Sequence, residues 1–222
     1  MKLSIAIDGP AGAGKSTVAR AVAARLGLTY LDTGAMYRAI TLAGLRRGTD
    51  IHDAEALEAL TKIVELDIKS DSIGQNIIFM DGENVTEDIR LPIVNRNVSF
   101  VARCPQVRKI LVDKQRQIGS RGGMVMDGRD IGTIVMPSAE YKFFLNASLT
   151  ERSRRRLAEL SAKGEEFELE QMMQEIAARD KIDSEREVAP LRPAEDAIYL
   201  DTTLMTIDAV VDAIVRAVRG EE

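Results

Sequence analysis

The strongest constraint on this chain sits near its start, where Ile5 to Arg20 read IAIDGPAGAGKSTVAR. From Gly9 to Ser16 the stretch fits G-x-x-x-x-G-K-[ST], the pattern of a phosphate-binding loop. Glycines let the backbone curl so that successive N–H groups point inward at an anion. In that arrangement Lys15 reaches the outer phosphates of a nucleoside triphosphate, and Ser16 holds Mg²⁺ directly. The expected ATP-binding residues are therefore Gly9, Pro10, Ala11, Gly12, Ala13, Gly14, Lys15, Ser16 and Thr17. The competing reading is a chance Gly/Ala-rich turn. The flanks argue against it: KLSIAID has the look of a buried strand and STVARAVAARL of a helix. A helix N-terminus then stands behind the phosphates and its dipole favours negative charge there.

Strand-like and helix-like runs alternate through the 222 residues, which predicts an α/β fold: a P-loop-type parallel sheet flanked by helices. Leu3–Asp8 reads as the first strand, and Thr17–Leu26 as its helix. TYLDTG is a short strand, and AMYRAITLAGLRRG a helix stopped at Gly48. After a helix over Asp53–Glu65 the texture changes. From about residue 66 to 90, short β-rich runs punctuated by Ser-Asp and Asp-Gly predict a small antiparallel insert. Helices resume over Pro92–Ala102 and Pro105–Ile118, followed by the strand of GGMVMDGRD, the strand of EYKFFLNAS and the helix of TERSRRRLAEL. A long charged helix, GEEFELEQMMQEIAARDKID, precedes a last strand, AIYLDTT, and a closing helix.

Composition excludes several function classes. A net charge of −5 does not favour nucleic-acid polymers or membrane surfaces. No apolar run approaches the ~20 residues that span a bilayer, and no signal-peptide pattern opens the chain. Cys104 is the only cysteine, so an intrachain disulfide is impossible and a reducing cytoplasm is expected. His52 is the only histidine, which excludes histidine-based metal clusters; a surface position is expected for it. No long heptad or apolar stretch calls for a partner, so a monomer is expected.

A triphosphate site alone does not separate a kinase from a switch. The acceptor must be sought at other strand ends, where open parallel sheets bind ligands. Two loops qualify: LDTGAMYR, with Thr33, Tyr37 and Arg38, and MDGRDIG, with Asp127, Arg129 and Asp130. Taken singly, the arginines could be solvated charges, Thr33 a cap for a helix starting near Ala35, Asp130 a turn residue and Tyr37 packing. Asp127 fits a role near Mg²⁺ through water, or a structural turn. A switch would carry a base-reading motif such as N-K-x-D, which is absent.

GPAGAGKST, LDTGAMYR, SFVARCPQVR, DGRDIGT and RDKIDSEREVAPLRPAEDA, in this order, resemble bacterial cytidylate kinases over essentially the whole chain. The resemblance implies a single nucleoside-monophosphate kinase domain over residues 1–222. Within it, about 33–102 would form the acceptor-binding part, enlarged by the insert, and about 150–190 a helical lid. It implies transfer of a phosphoryl group from ATP, with Mg²⁺, to CMP or dCMP. Thr33, Arg108, Asp130 and Arg186 would surround the cytosine. Ser99, Arg179 and Asp183 would meet the sugar, and Arg38 and Arg129 the acceptor phosphate. Of the lid cluster Arg152, Arg154, Arg155, Arg156 and Lys163, only one or two can face phosphate from one helix. Arg156 is the preferred candidate, so the catalytic set is Lys15, Arg129 and Arg156. Relatives often carry a further basic residue where this chain has Ile182.

Lys15 is the only cation inside the glycine loop. Changing Lys15→Ala is expected to cut turnover by at least ~10²-fold while leaving the fold intact, because a transition-state charge contact is lost. Steady-state ADP release and circular dichroism check this; near-wild-type turnover in a folded variant would defeat the assignment.

Overall fold

The structure is a computed structural model, which describes residues 3–162, 164 and 167–221. Lys163 of the lid cluster, and Glu165 and Glu166 of the long charged helix, lie outside the described residues. Along the chain the elements are β1 (Ser4–Asp8), α1 (Lys15–Leu26), β2 (Thr29–Asp32), α2 (Thr33–Arg47), α3 (Ala54–Ile63), β3 (Leu66–Ser70), β4 (Asn76–Met80) and β5 (Glu83–Asn84). There follow α4 (Pro92–Arg103), α5 (Pro105–Gly119), β6 (Met124–Gly128), β7 (Tyr141–Asn146), α6 (Leu149–Ser161), α7 (Leu169–Glu185), β8 (Ile198–Asp201) and α8 (Ile207–Arg219).

Side-chain alternation along the strands explains the layering. On β1, Ile5 and Ile7 enter one core with Val125 of β6 and Phe143 and Leu145 of β7. Ala6, Met124 and Met126 point to the opposite face and join a second core. Both faces of these strands are buried, as a parallel sheet requires when helices cover each side. The sheet runs β2-β6-β1-β7-β8, with every neighbouring pair parallel. Helices α1 and α8 close one face, where Val18, Val22, Val211 and Ile214 pack on the strands. The expected antiparallel insert is a three-stranded sheet, β3-β4-β5, turned at Asp81 and Gly82, both at positive φ. It shares a third core with α2 to α5. A fourth, small core lies between α6 and α7.

Several boundaries move from their sequence positions for local reasons. Helix α1 begins at Lys15, inside the loop motif, and α2 begins directly after β2. The α2 cap is Asp32, which accepts the Ala35 N–H, so Thr33 is the first helical residue instead of the cap. Helix α7 starts at Leu169, and after β6 the chain turns through a short π-type segment, Ile131–Val135. His52 is exposed, and Cys104 is buried and free. Among the described residues no helix is long and apolar enough to cross a membrane.

One side chain docks the insert on the main sheet. Asn76, at the start of β4, accepts from the Asp32 N–H at 2.7 Å and donates to the Tyr30 carbonyl at 2.9 Å. Strand β2 is an edge strand, and Asn76 stands in for the missing ladder partner. Changing Asn76→Ala leaves two buried backbone groups unpaired and is expected to cost about 2–4 kcal/mol of stability. Urea unfolding at unchanged m-value measures it; a loss under about 1 kcal/mol would mean the groups find other partners.

Candidate active site

The donor loop forms where β1 ends. Gly9 has φ 151°, and a Cβ there would lie 2.0 Å from the Leu145 carbonyl oxygen of β7, so only glycine lets the chain leave β1 at this point. Gly14 precedes α1 without a side-chain cap, and the first turn of α1 carries no acid. The first N–H groups of α1 are thus left for an anion. Lys15 is 6 % exposed and donates to the Pro10 carbonyl at 2.7 Å. Burial, reinforced by the charge of Arg129, lowers the Lys15 pKa to about 7 against the pull of Asp127.

Beneath the loop, Ser16 Oγ donates to Asp127 Oδ2 at 2.9 Å, and the Tyr30 hydroxyl donates to Oδ1 at 2.8 Å. Burial, then the charge of Asp32, pushes the Asp127 carboxyl up to about 6. Among the described residues no group of three acidic, histidine or cysteine side chains could hold a metal alone. One hydroxyl beside one carboxylate suits Mg²⁺, which keeps waters and substrate phosphates as its remaining ligands.

Next to this lies a cationic cleft. Arg38 Nη2 donates to Asp32 Oδ2 at 2.6 Å, and Arg129 Nε donates to Asp183 Oδ2 at 2.9 Å. Ser99 Oγ donates to the other Asp183 oxygen at 3.2 Å. Burial would raise both carboxyls, but it is outweighed at Asp32 by Arg38 and Arg90, and at Asp183 by Arg129 and Arg179. Both stay below the ordinary carboxylate range. Arg179 is the unbalanced member: burial, then repulsion by Arg129, lowers it to about 10. The Nε atoms of Arg179 and Arg38 are buried without a hydrogen-bond partner. Buried donors of this kind require an acceptor that the chain does not supply.

Farther along, Asp130 bridges two arginines. Arg108 Nη2 donates to Oδ2, and Arg186 Nη2 donates to Oδ1 at 3.2 Å. The Arg108 guanidinium lies over the Tyr37 ring, 5.6 Å from its centroid. The Tyr37 hydroxyl is buried without a partner, and burial pushes its pKa up to about 12. Thr33 Oγ1 donates to the Asp127 carbonyl at 2.7 Å, joining this end to the donor side. Asp8, at the end of β1, accepts from the Ile131 and Gly132 N–H groups at 2.8 and 2.7 Å and so sets the loop that carries Arg129 and Asp130.

The lid cluster divides differently from the sequence expectation. Arg152 donates to the Ala11 carbonyl at 2.9 Å and pairs with Asp180 of α7. Arg155 donates to the Thr202 carbonyl at 2.6 Å, and Arg154 is exposed. Arg156 pairs with Glu159 of its own helix at 2.9 Å. The first turn of α6 abuts the loop, and Arg156 lies one turn, about 6 Å, beyond Arg152. The structure thus gathers the loop, Thr33, Arg38, Ser99, Arg108, Asp127, Arg129, Asp130, Arg179, Asp183 and Arg186 into one region, and leaves Arg156 turned to Glu159. Asp8, Asp32 and Asp180 escape a reading by motif. Each acts by holding a backbone group or cation that is distant in sequence or set by local geometry.

The family model for cytidylate kinase matches residues 5–220. The chain is 54% identical to a cytidylate kinase of Anoxybacillus flavithermus over 213 residues, 96% of this chain and 94% of that one. It is 52% identical to a cytidylate kinase of Caldanaerobacter subterraneus over 220 residues, 99% of this chain and 96% of that one. Among solved structures, shikimate kinase from Bacteroides thetaiotaomicron overlays with a TM-score of 0.52 at 15% identity, covering 98% of each chain; it shares the fold alone.

The lowered Lys15 pKa makes a measurable demand. At pH 8 Asp8 and Asp127, raised by burial to about 7 and about 6, are largely ionised, whereas Lys15, at about 7, is largely neutral. Bound triphosphate favours the ammonium, so ATP binding at that pH is expected to take up about one proton per site. Calorimetry in buffers of different ionisation enthalpy counts it. Lys15→Met should abolish the uptake; absence of uptake in the wild type, or its persistence in the variant, would refute the assignment.

Proposed function

The chain belongs to the cytidylate kinase family, and from that premise we propose that the loop, the cationic cleft and the Asp130 pocket are its donor, acceptor-phosphate and cytosine subsites. The protein is a transferase that phosphorylates CMP and dCMP to CDP and dCDP. The observation that carries the site reading is the cluster of Lys15 with the half-buried Arg38, Arg129 and Arg179, in which Asp32, Asp127 and Asp183 leave Lys15 and Arg179 under-compensated. Two phosphate groups brought together satisfy that charge.

ATP is the donor. Its phosphates lie on the loop N–H groups ahead of α1 with Lys15 on the outer oxygens. Ser16 would hold Mg²⁺ directly and Asp127 through water, and the bound ion would supply neutralisation of phosphate charge. Arg38 and Arg129 aim the acceptor phosphate in line, with Asp32 and Asp183 keeping their forks oriented. An acceptor phosphate that is largely dianionic at neutral pH needs no strong general base. Arg179 lies between the sugar and phosphate groups, and its free Nε favours a phosphate oxygen. Ser99 and Asp183 meet the ribose hydroxyls. The part over about 33–102 carries the acceptor, and the segment over about 150–190 closes as a lid that excludes water from the transferred group. Arg155, whose guanidinium lies beside Gly14 of the loop, fits the lid's phosphate-side role better than Arg156 does.

Base choice follows from Asp130. Its carboxylate, paired with Arg108 and Arg186, accepts from the cytosine amine, while an arginine donates to the ring acceptors. Uracil would present a carbonyl to that anion. Changing Asp130→Asn is expected to lower kcat/KM for CMP roughly ten- to two-hundred-fold, as a charge-assisted hydrogen bond is lost. UMP should lose less or gain, so the CMP/UMP ratio falls. Acceptor-dependent ADP release with each nucleotide measures the ratio; equal losses for both would make Asp130 a support for the arginines, with Thr33 and Arg108 reading the base.

A further inference from the structure

Ala11, at the crest of the phosphate loop, is held on every side by the α6–α7 pair. Its N–H donates to Asp180 Oδ1 at 3.1 Å, and its carbonyl accepts from Arg152 at 2.9 Å. Its methyl group packs in the small core with Leu160, Met172 and Ile176. The approach extends one residue on: a Cβ at Gly12 would come within 2.9 Å of the Arg152 carbonyl oxygen. Asp180 and Arg152 also pair with each other, which ties α7, α6 and the loop into one polar knot.

Helix α7 meets the acceptor cleft through the adjoining residues. Arg179 and Asp183 are four apart and share a helix face. Asp183 binds Ser99 of α4 and Arg129. Asp180 is turned about 100° from Arg179, toward the loop. A single rigid helix therefore touches the donor loop and the acceptor cleft within four residues. The pair is largely buried, so it steadies the local structure only while both partners are in place; its placement on both polar groups of Ala11 is the feature that calls for a further role.

We propose that Asp180 is a positioning residue that couples the two nucleotide sites. Acceptor binding settles Arg179 and Asp183, and with them the orientation of α7. Through Asp180 and Arg152 that orientation sets Ala11 and the loop N–H groups that follow it. The acceptor thus prepares the loop for the donor and, by linkage, the donor prepares the acceptor cleft to the same degree. The inference rests on the reading of Arg179 and Asp183 as acceptor-site residues.

Titration of a non-hydrolysable ATP analogue with Mg²⁺, with and without saturating CMP, tests the coupling in the full-length protein. In Asp180→Asn the amide oxygen still accepts from Ala11, but its NH₂ group opposes the Arg152 donors, so the knot opens at one bond. In the wild type CMP should tighten analogue binding roughly fivefold or more, and in Asp180→Asn the factor should fall below about twofold, with CMP alone bound about as before. Arg152→Met breaks the pair from the other side and should lose the factor likewise. A wild-type factor of one, or the same factor in wild type and folded variants, would overturn the proposal. So would equal weakening of both ligands at an unchanged factor, or failure of both variants to fold, since either makes the pair a structural brace. A wild type that does not bind CMP would instead remove the acceptor-site reading on which the coupling rests; CMP binding without coupling would remove the coupling alone.

Discussion

Buried positive charge organises this molecule. Burial lowers Lys15 and Arg179, and the charges of Arg129 and Arg179 on Lys15, and of Arg129 and Arg38 on Arg179, lower them further. An unpaired ion in the interior is costly. Asp32, Asp127 and Asp183 offset part of the cost from three different elements: β2, β6 and α7. The electrostatic balance of the site is therefore also what draws those elements together. What the carboxylates leave uncompensated lowers the pKa of Lys15 and Arg179.

The same economy of polar groups recurs wherever an appended segment meets the main sheet. Asn76 joins the antiparallel insert to the free edge of β2 by bonding one N–H and one carbonyl. Asp8 fixes the loop after β6 through two N–H groups. Asp180 and Arg152 hold the N–H and carbonyl of Ala11. In each case a side chain satisfies backbone groups that no regular element could pair. Irregular backbone at the ends of parallel strands can then be as well defined as the strands, which is what in-line transfer between two bound nucleotides requires.

Four separate cores make the division of labour physical. One core lies on each face of the parallel sheet, a third binds α2 to α5 to the insert, and a small fourth joins α6 and α7 to Ala11. The α2–α5 and α6–α7 segments thus have interiors of their own, and the α6–α7 pair meets the glycine loop through a polar knot and one methyl group.

What the sequence determined by itself was local. The glycine loop, the strand before it and the helix after it follow from residues between Ser4 and Leu26, and the alternation of strand-like and helix-like runs with the Asp-Gly turn announces the parallel sheet and the insert. Pairing was decided only by the tertiary structure. Arg129 finds Asp183 fifty-four positions away, Asp130 finds Arg186 at fifty-six, and Ala11 finds Asp180 at one hundred and sixty-nine. Nothing near an arginine in sequence states which carboxylate will face it. Even within one helix, Arg152 touches the loop while Arg156 turns to Glu159, because the docking of α6 sets which turn abuts the loop. Propensity and pattern act over a few residues, whereas Coulomb energy and desolvation act through space, and the fold alone sets those distances.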